Sequence, residues 1–236
     1  MKVFKPLNLL NDKGFWPEKV AIADAIKEVL TIGKCRRPMA VHDYGHFRER
    51  GWRNEKNELV PYQSVEWYVY DALNEDRMQV DGTKLLQTFA HEPWRNDSKI
   101  GDHYDLFIME EDMFDPTGTR QRLDLGYAVG KAERLTAAII STHRIDHIWG
   151  LPYSYLKTEI MRQMCFMFGV PDEVRPDSVV EGEEVYCRNV CILRPASLAP
   201  EDWDTLTEDR IRYGPLCANC TGDLRRFFER VASEAR

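Results

Sequence analysis

Between Pro17 and Thr31 ("PEKVAIADAIKEVLT") apolar residues return every three or four positions, at Val20, Ile22, Ala23, Ile26, Val29 and Leu30. That period, with proline at the first turn, predicts a helix. "PYQSVEWYVYDALNED" (61–76) repeats the pattern through Val65, Tyr68, Val69, Ala72 and Leu73, and "DGTKLLQTFAHE" predicts a shorter third helix. The period then changes. "HYDLFIMEED" (103–112), "RLDLGYAVG" (122–130) and "RLTAAIISTHRI" (134–145) are short apolar runs separated by "DPTG" and "GKAE" turn signals, so they read as strands of one sheet. Helical spacing resumes in "PYSYLKTEIMRQMCFMFG" (152–169), stopped by Gly169 with Pro171 beyond it. The tail "TGDLRRFFERVASEAR" predicts a last helix with Thr221 as N-cap. Helices mixed irregularly with one sheet point to the α+β class.

The chain has 236 residues, enough for one sizeable core or for a domain with a small lobe. Its net charge of −7, without a long basic run, argues against nucleic acid as a partner. No stretch has the roughly 18–20 apolar residues that span a bilayer. The opening "MKVFKPLNLLNDKGFW" breaks its apolar run at Pro6, Asn8 and Asn11, unlike a secretory leader. A cytoplasmic location with reduced thiols is therefore expected.

Four of the six cysteines form two close pairs, Cys187/Cys191 as C-x3-C and Cys217/Cys220 as C-x2-C. Such pairs are the usual arrangement of a tetrahedral structural zinc site, because a tight turn points both thiolates of a pair at one ion. Disulfides or unrelated thiols are the alternatives. Four thiolates would close the coordination sphere, leaving no open position for catalysis. Cys35 and Cys165 are expected to be buried structural thiols.

With these pieces in order, the chain resembles the archaemetzincins, zinc-dependent metalloproteases with the pattern H-E-x-x-H-x-x-G-x-x-H-C, a further cysteine, a methionine, and a C-x-x-C near the end. "CRNVCILRPAS" is similar to the family's cysteine–methionine segment and "LCANCTGDL" to its closing C-x-x-C. "PYQSVEWYVYDAL", "YDLFIMEEDMFDP" and "LGYAVGKAERLTAAIISTHRI", with Ser141 and Arg144, are similar to its upstream helix, strand and edge-strand segments. The resemblance covers roughly residues 36–225. It implies a zincin-like mixed twisted sheet with packed helices: residues 1–35 as an N-terminal helical extension, and 36–236 as the archaemetzincin-like domain. The latter divides into a sheet-and-helix part (36–170) and a C-terminal zinc-bearing lobe (171–236).

Set on the motif glycine at Gly169, the first histidine falls on Arg162, the glutamate on Gln163, the second histidine on Phe166 and the third on Asp172. A shifted register keeps Glu159 but neither histidine. Guanidinium and phenyl groups do not ligate, and an amide is no base, so the family's peptidase reaction is not expected. Leu193 stands near the methionine's place, and "DEVRPDSVVEGEEVY" (172–186) is an insertion. Tyr155, Glu159, Arg162 and Phe166 share one helix face. Arg162 could grip a carboxylate there, or form a solvated pair with Glu159 beside a repacked core.

The resemblance further implies that a peptide or protein segment could add to a sheet edge at Leu125, Gly126, Tyr127 and Ala128, unless the insertion covers it. Relocated metal chemistry would fall to His143 and His147, with His42 and His46 as the other pair four apart. The expectation is a pseudopeptidase with one structural zinc. A repurposed enzyme and a purely structural interaction protein are the alternatives.

Overall fold

The chain is described by a computed structural model over residues 5–12, 16–35, 39–46, 56–58, 64–91, 103–117, 128–146, 152–181, 184–196 and 200–234. The first half runs β1 (Leu7–Asn11), α1 (Trp16–Ile32), β2 (Val41–Gly45), α2 (Val65–Ala72), β3 (Leu73–Asn74), β4 (Gln79–Asp81) and α3 (Gly82–Ala90). Then come β5 (Tyr104–Met109), β6 (Met113–Phe114), β7 (Gly130–Glu133), β8 (Ala137–Ser141), α4 (His143–Asp146) and α5 (Pro152–Met167). The hairpin β9 (Ser178–Glu181) and β10 (Glu184–Cys187) and the helices α6 (Pro200–Tyr213) and α7 (Ala218–Glu234) complete it.

Five strands form the main sheet in the order β2-β1-β5-β8-β7, parallel except for antiparallel β7 at the edge. The central strands are apolar on both faces. On β5, Leu106 and Ile108 join a core with α1 and α5, whereas Phe107 and Met109 join a second core with α2 and α3. Ala138/Ile140 and Ala137/Ile139 divide likewise on β8. This two-sided burial explains why these strands read as continuous apolar runs rather than alternating ones. The segment expected as a helical extension also supplies β1, which lies between β2 and β5. The C-terminal helices share the α1/α5 core through Trp203, Leu224, Phe227 and Phe228, with Phe168 stacked on Phe227 at 4.8 Å.

Local signals act where the sequence puts them. Ser64 caps α2 by accepting the Trp67 N–H at 3.1 Å, and Asp81 caps α3 by accepting that of Lys84 at 3.0 Å. Gly169 ends α5 at φ +76°, a conformation open to glycine at little cost, while the Val170 N–H returns to the Cys165 carbonyl. Thr221 is not a cap. α7 begins three residues earlier, and the Thr221 N–H is bonded to the Cys217 carbonyl within its first turn. No helix among the described residues is long and apolar enough to cross a membrane.

Candidate metal centre and the adjoining helix

Cys187 closes β10, Cys191 follows a tight turn, and Cys217 stands immediately before α7, whose first turn carries Cys220. Backbone N–H groups point at the sulfurs: Asn189 to Cys187 at 3.4 Å and Cys220 to Cys217 at 3.5 Å. The second contact makes Cys217 the cap of α7 and sets its sulfur in the helix's positive end. All four Sγ atoms lie within 4.8 Å of one another, with Cys187–Cys217 at 3.7 Å and Cys191–Cys220 at 3.9 Å. A tetrahedral ion with metal–sulfur bonds of about 2.3 Å has sulfur–sulfur edges of about 3.8 Å, whereas a disulfide needs about 2.05 Å. The thiols are free, so the disulfide alternative falls and the quartet fits a metal ion.

Proton sharing supports the fit. Cys187 accepts from the Cys191 and Cys220 thiols and is held far below the ordinary thiol range. Donating to that thiolate pushes Cys191 up to about 12 and raises Cys220 as well. The sulfurs alone therefore retain protons, and a divalent cation is what allows four thiolates to coexist at these distances. Among the described residues this is the one group of three or more His, Cys, Asp or Glu ligand atoms brought together. His143 opens α4, and His147 lies outside the described residues. His46 contacts Glu66, while His42 packs edge-on to Tyr44 at 6.2 Å. Cys165 is fully buried and its thiol is raised by burial; Cys35 is half-buried against the same core.

α5 passes beside the quartet. Glu159, Arg162 and Gln163 are each at most 7% exposed, so the solvated Glu–Arg pair considered above does not occur. Arg162 Nη1 donates to the carbonyls of Ile192 and, at 3.0 Å, Arg194, the residues flanking Leu193 just after Cys191. Its guanidinium lies 4.9 Å from the Phe166 ring centre and 5.8 Å from that of Tyr186. Burial lowers its pKa, and the charges of Glu159 and Glu184 oppose that shift. Gln163 donates to Glu159 at 2.7 Å, and this pair abuts Gly130 of β7 so closely that a Cβ there would lie 2.5 Å from Glu159 Oε1. Asp172 is turned into its own loop: its Oδ1 accepts the Val174 N–H, and its N–H donates to Asp223. Arg162 and Phe166 thus come together, while Asp172 serves a separate turn.

Segment 172–186 walls one side of the quartet. Its hairpin carries Cys187, and the turn before it carries Arg175, whose Nη2 donates to Cys187 and Cys220 sulfurs at 3.5 and 3.6 Å. Sequence spacing missed Arg175. The available signal was a lone arginine in an acidic insertion beside four thiols.

Leu125, Gly126 and Tyr127 lie outside the described residues; Ala128 is buried and bridged to Met113. On this side of the main sheet the described edge strand is β7, with β2 at the opposite edge. Ser141 donates to the Val129 carbonyl, so by antiparallel alternation Lys131 and Glu133 face β8 while Gly130 and Ala132 present their backbone groups to the other side. A shallow groove of about 40 Å³ runs along Ala132, Arg134, Phe166, Val170, Pro171 and Val185, between β7, the end of α5 and β10.

The described residues thus form an α+β architecture: a mixed sheet with packed helices and a four-cysteine cluster in the C-terminal region. No protein-family model and no curated protein matches the sequence. The fold is similar to that of a solved structure, the 1.5 Å crystal structure of archaemetzincin from Methanopyrus kandleri. It has a TM-score of 0.58 over 95% of this chain and 96% of that one, at 17% identity. At that identity the likeness speaks for the fold.

Proposed function

We propose that this chain is an archaemetzincin-fold pseudopeptidase of the cytoplasm, holding one structural zinc in its cysteine quartet and using the groove beside α5 to bind an extended peptide or protein segment. The observation that carries the reading is Arg162. With Gly169 set on the motif glycine, the resemblance puts it at the first motif histidine; the side chain is buried, and its Nη1 donates to the turn after Cys191. A guanidinium there is a permanent cation that neither ligates nor gives up its proton, and Gln163 and Phe166 supply neither a base nor a lone pair for an ion. Zinc is the ion favoured by four thiolates in tetrahedral array, and reduced thiols agree with a cytoplasmic setting. The edge groups of Gly130 and Ala132 support recognition by strand addition, which needs no metal.

Metal analysis of the purified chain tests the first half: one zinc per chain, lost on Cys217→Ser/Cys220→Ser substitution, is expected. A peptide array tests the second, with binding weakened by an Ala132→Pro change at the edge and no cleavage of the bound peptides. A second metal lost on His143/His147 substitution, accompanied by hydrolysis, would replace this reading with that of a repurposed enzyme.

A further inference from the structure

Arg175 is 10% exposed and reaches both halves of the quartet. Its Nη2 donates to Cys187 of the first pair and Cys220 of the second, and Nη1 donates to Cys220 at 3.6 Å and Asp223 Oδ2 at 2.7 Å. Nε lies 3.0 Å from Asp177 Oδ1. Asp177 is itself fixed, its Oδ2 accepting from Asn219 at 2.9 Å and from Asn189. Asn189 in turn directs its backbone N–H at Cys187 and its amide at Cys217. The guanidinium is thus a two-pronged donor, locked by two carboxylates, that spans cysteines 33 residues apart in sequence.

Four thiolates around a divalent ion carry net charge −2, concentrated on sulfur. Donors aimed at those sulfurs draw charge from them, making them poorer nucleophiles and harder to protonate, and they hold each sulfur in place against release from the ion by protonation. Resting on the zinc reading above, we propose that Arg175 is the positioning residue of the metal centre: it ties one sulfur of each cysteine pair to the other and shields Cys187 and Cys220 from electrophiles. The hairpin insertion then acts as a clamp on the ion, because it brings in both a ligand and the group that fixes that ligand's geometry.

The test uses the zinc-loaded full chain, with Arg175→Met and, in case that variant folds poorly, Arg175→Lys, which keeps a cation but loses the fork. Zinc transfer to a chelating dye and residue-resolved alkylation by iodoacetamide are followed. One zinc per chain is expected in all three proteins. Transfer should be roughly 10–100-fold faster in the methionine variant and intermediate in the lysine variant, with Cys187 and Cys220 alkylated ahead of Cys191 and Cys217. Wild-type rates in both zinc-loaded variants overturn Arg175's role and leave the zinc reading standing. Uniform acceleration at all four cysteines also overturns it, since that marks general loosening. A wild-type chain purified without metal removes the zinc reading, and Arg175's role with it.

Discussion

Substituting Arg162 by Met removes a buried cation while nearly preserving side-chain volume, and the structure fixes what is lost. Two charge-assisted hydrogen bonds disappear, to the carbonyls of Ile192 and Arg194. Bonds of that kind contribute about 1.5–3 kcal/mol each, and the carbonyls are left without this donor. The contact with the Phe166 ring adds on the order of 1 kcal/mol. Against these stands the desolvation of the guanidinium, several kcal/mol that the variant no longer spends. The balance tips toward loss because the change is one-sided: Glu159, 7% exposed, loses a neighbouring positive charge. We expect Arg162→Met to unfold at lower urea concentration, by the equivalent of about 2–4 kcal/mol, with the slope unchanged. Adding Glu159→Gln should return more than about 1 kcal/mol in a double-mutant cycle. Stability equal to or above that of the parent would refute the reasoning, for it would mean that a repacked apolar contact, not a cation, joins α5 to the cysteine turn.

Cys220 is fully buried within the α1/α5 core, so Cys220→Ser or chelation should remove the metal and lower Tm by roughly 10 °C; full metal content with an unchanged Tm by scanning calorimetry would contradict this. Burial alone would raise the Asp115 carboxyl, but Lys131, at 2.8 Å from both oxygens, and Thr117 outweigh it and hold the pKa below the usual carboxylate range. A lowered folded-state pKa stabilises the fold above the unfolded value, near pH 4, and that contribution is lost as pH falls further through the folded value. Asp115→Asn should therefore flatten the stability–pH curve below about pH 4, as read by urea titrations at each pH. Gly130→Ala would place a Cβ 2.5 Å from Glu159 Oε1 and 2.6 Å from Gln163 Nε2. The forced displacement of that buried pair should cost about 1–3 kcal/mol by the same denaturation assay.

Helices α1, α2, α3 and α5, strands β5 and β8, and the quartet were legible because each is written in a local period, a cap or a short spacing. Other elements lacked such a signal. β1, "LNLLN", is buried on every residue, so nothing alternates. β7, "GKAE", reads as a turn because it is short and polar; its charged residues find distant partners, Lys131 the buried Asp115 and Glu133 the more exposed His91. α6 is polar enough to pass unnoticed, yet it buries Trp203 and Leu206.

The site divides along the same line. Spacing placed Tyr155, Glu159, Arg162 and Phe166 on one face of α5, but their environment is set by a turn 30 residues later and by α6 beyond it. Segment 172–186, for which covering the sheet edge was one of two open readings, has its arginine committed 12 and 45 residues away on two sulfurs. In both places a guanidinium ends on groups that immediately neighbour a cysteine or are its sulfur: Arg162 from the helix side, Arg175 from the hairpin side. Period and capping chemistry are local and can be read from one segment, whereas the partner of a buried charge is chosen by whichever distant segment supplies acceptors. A long-range hydrogen bond of this kind leaves no trace in spacing, only a charged residue standing where an apolar or ligating one was expected. Arg162, where the resemblance implied a ligating histidine, was such a trace, and Arg175 beside the thiols was the other.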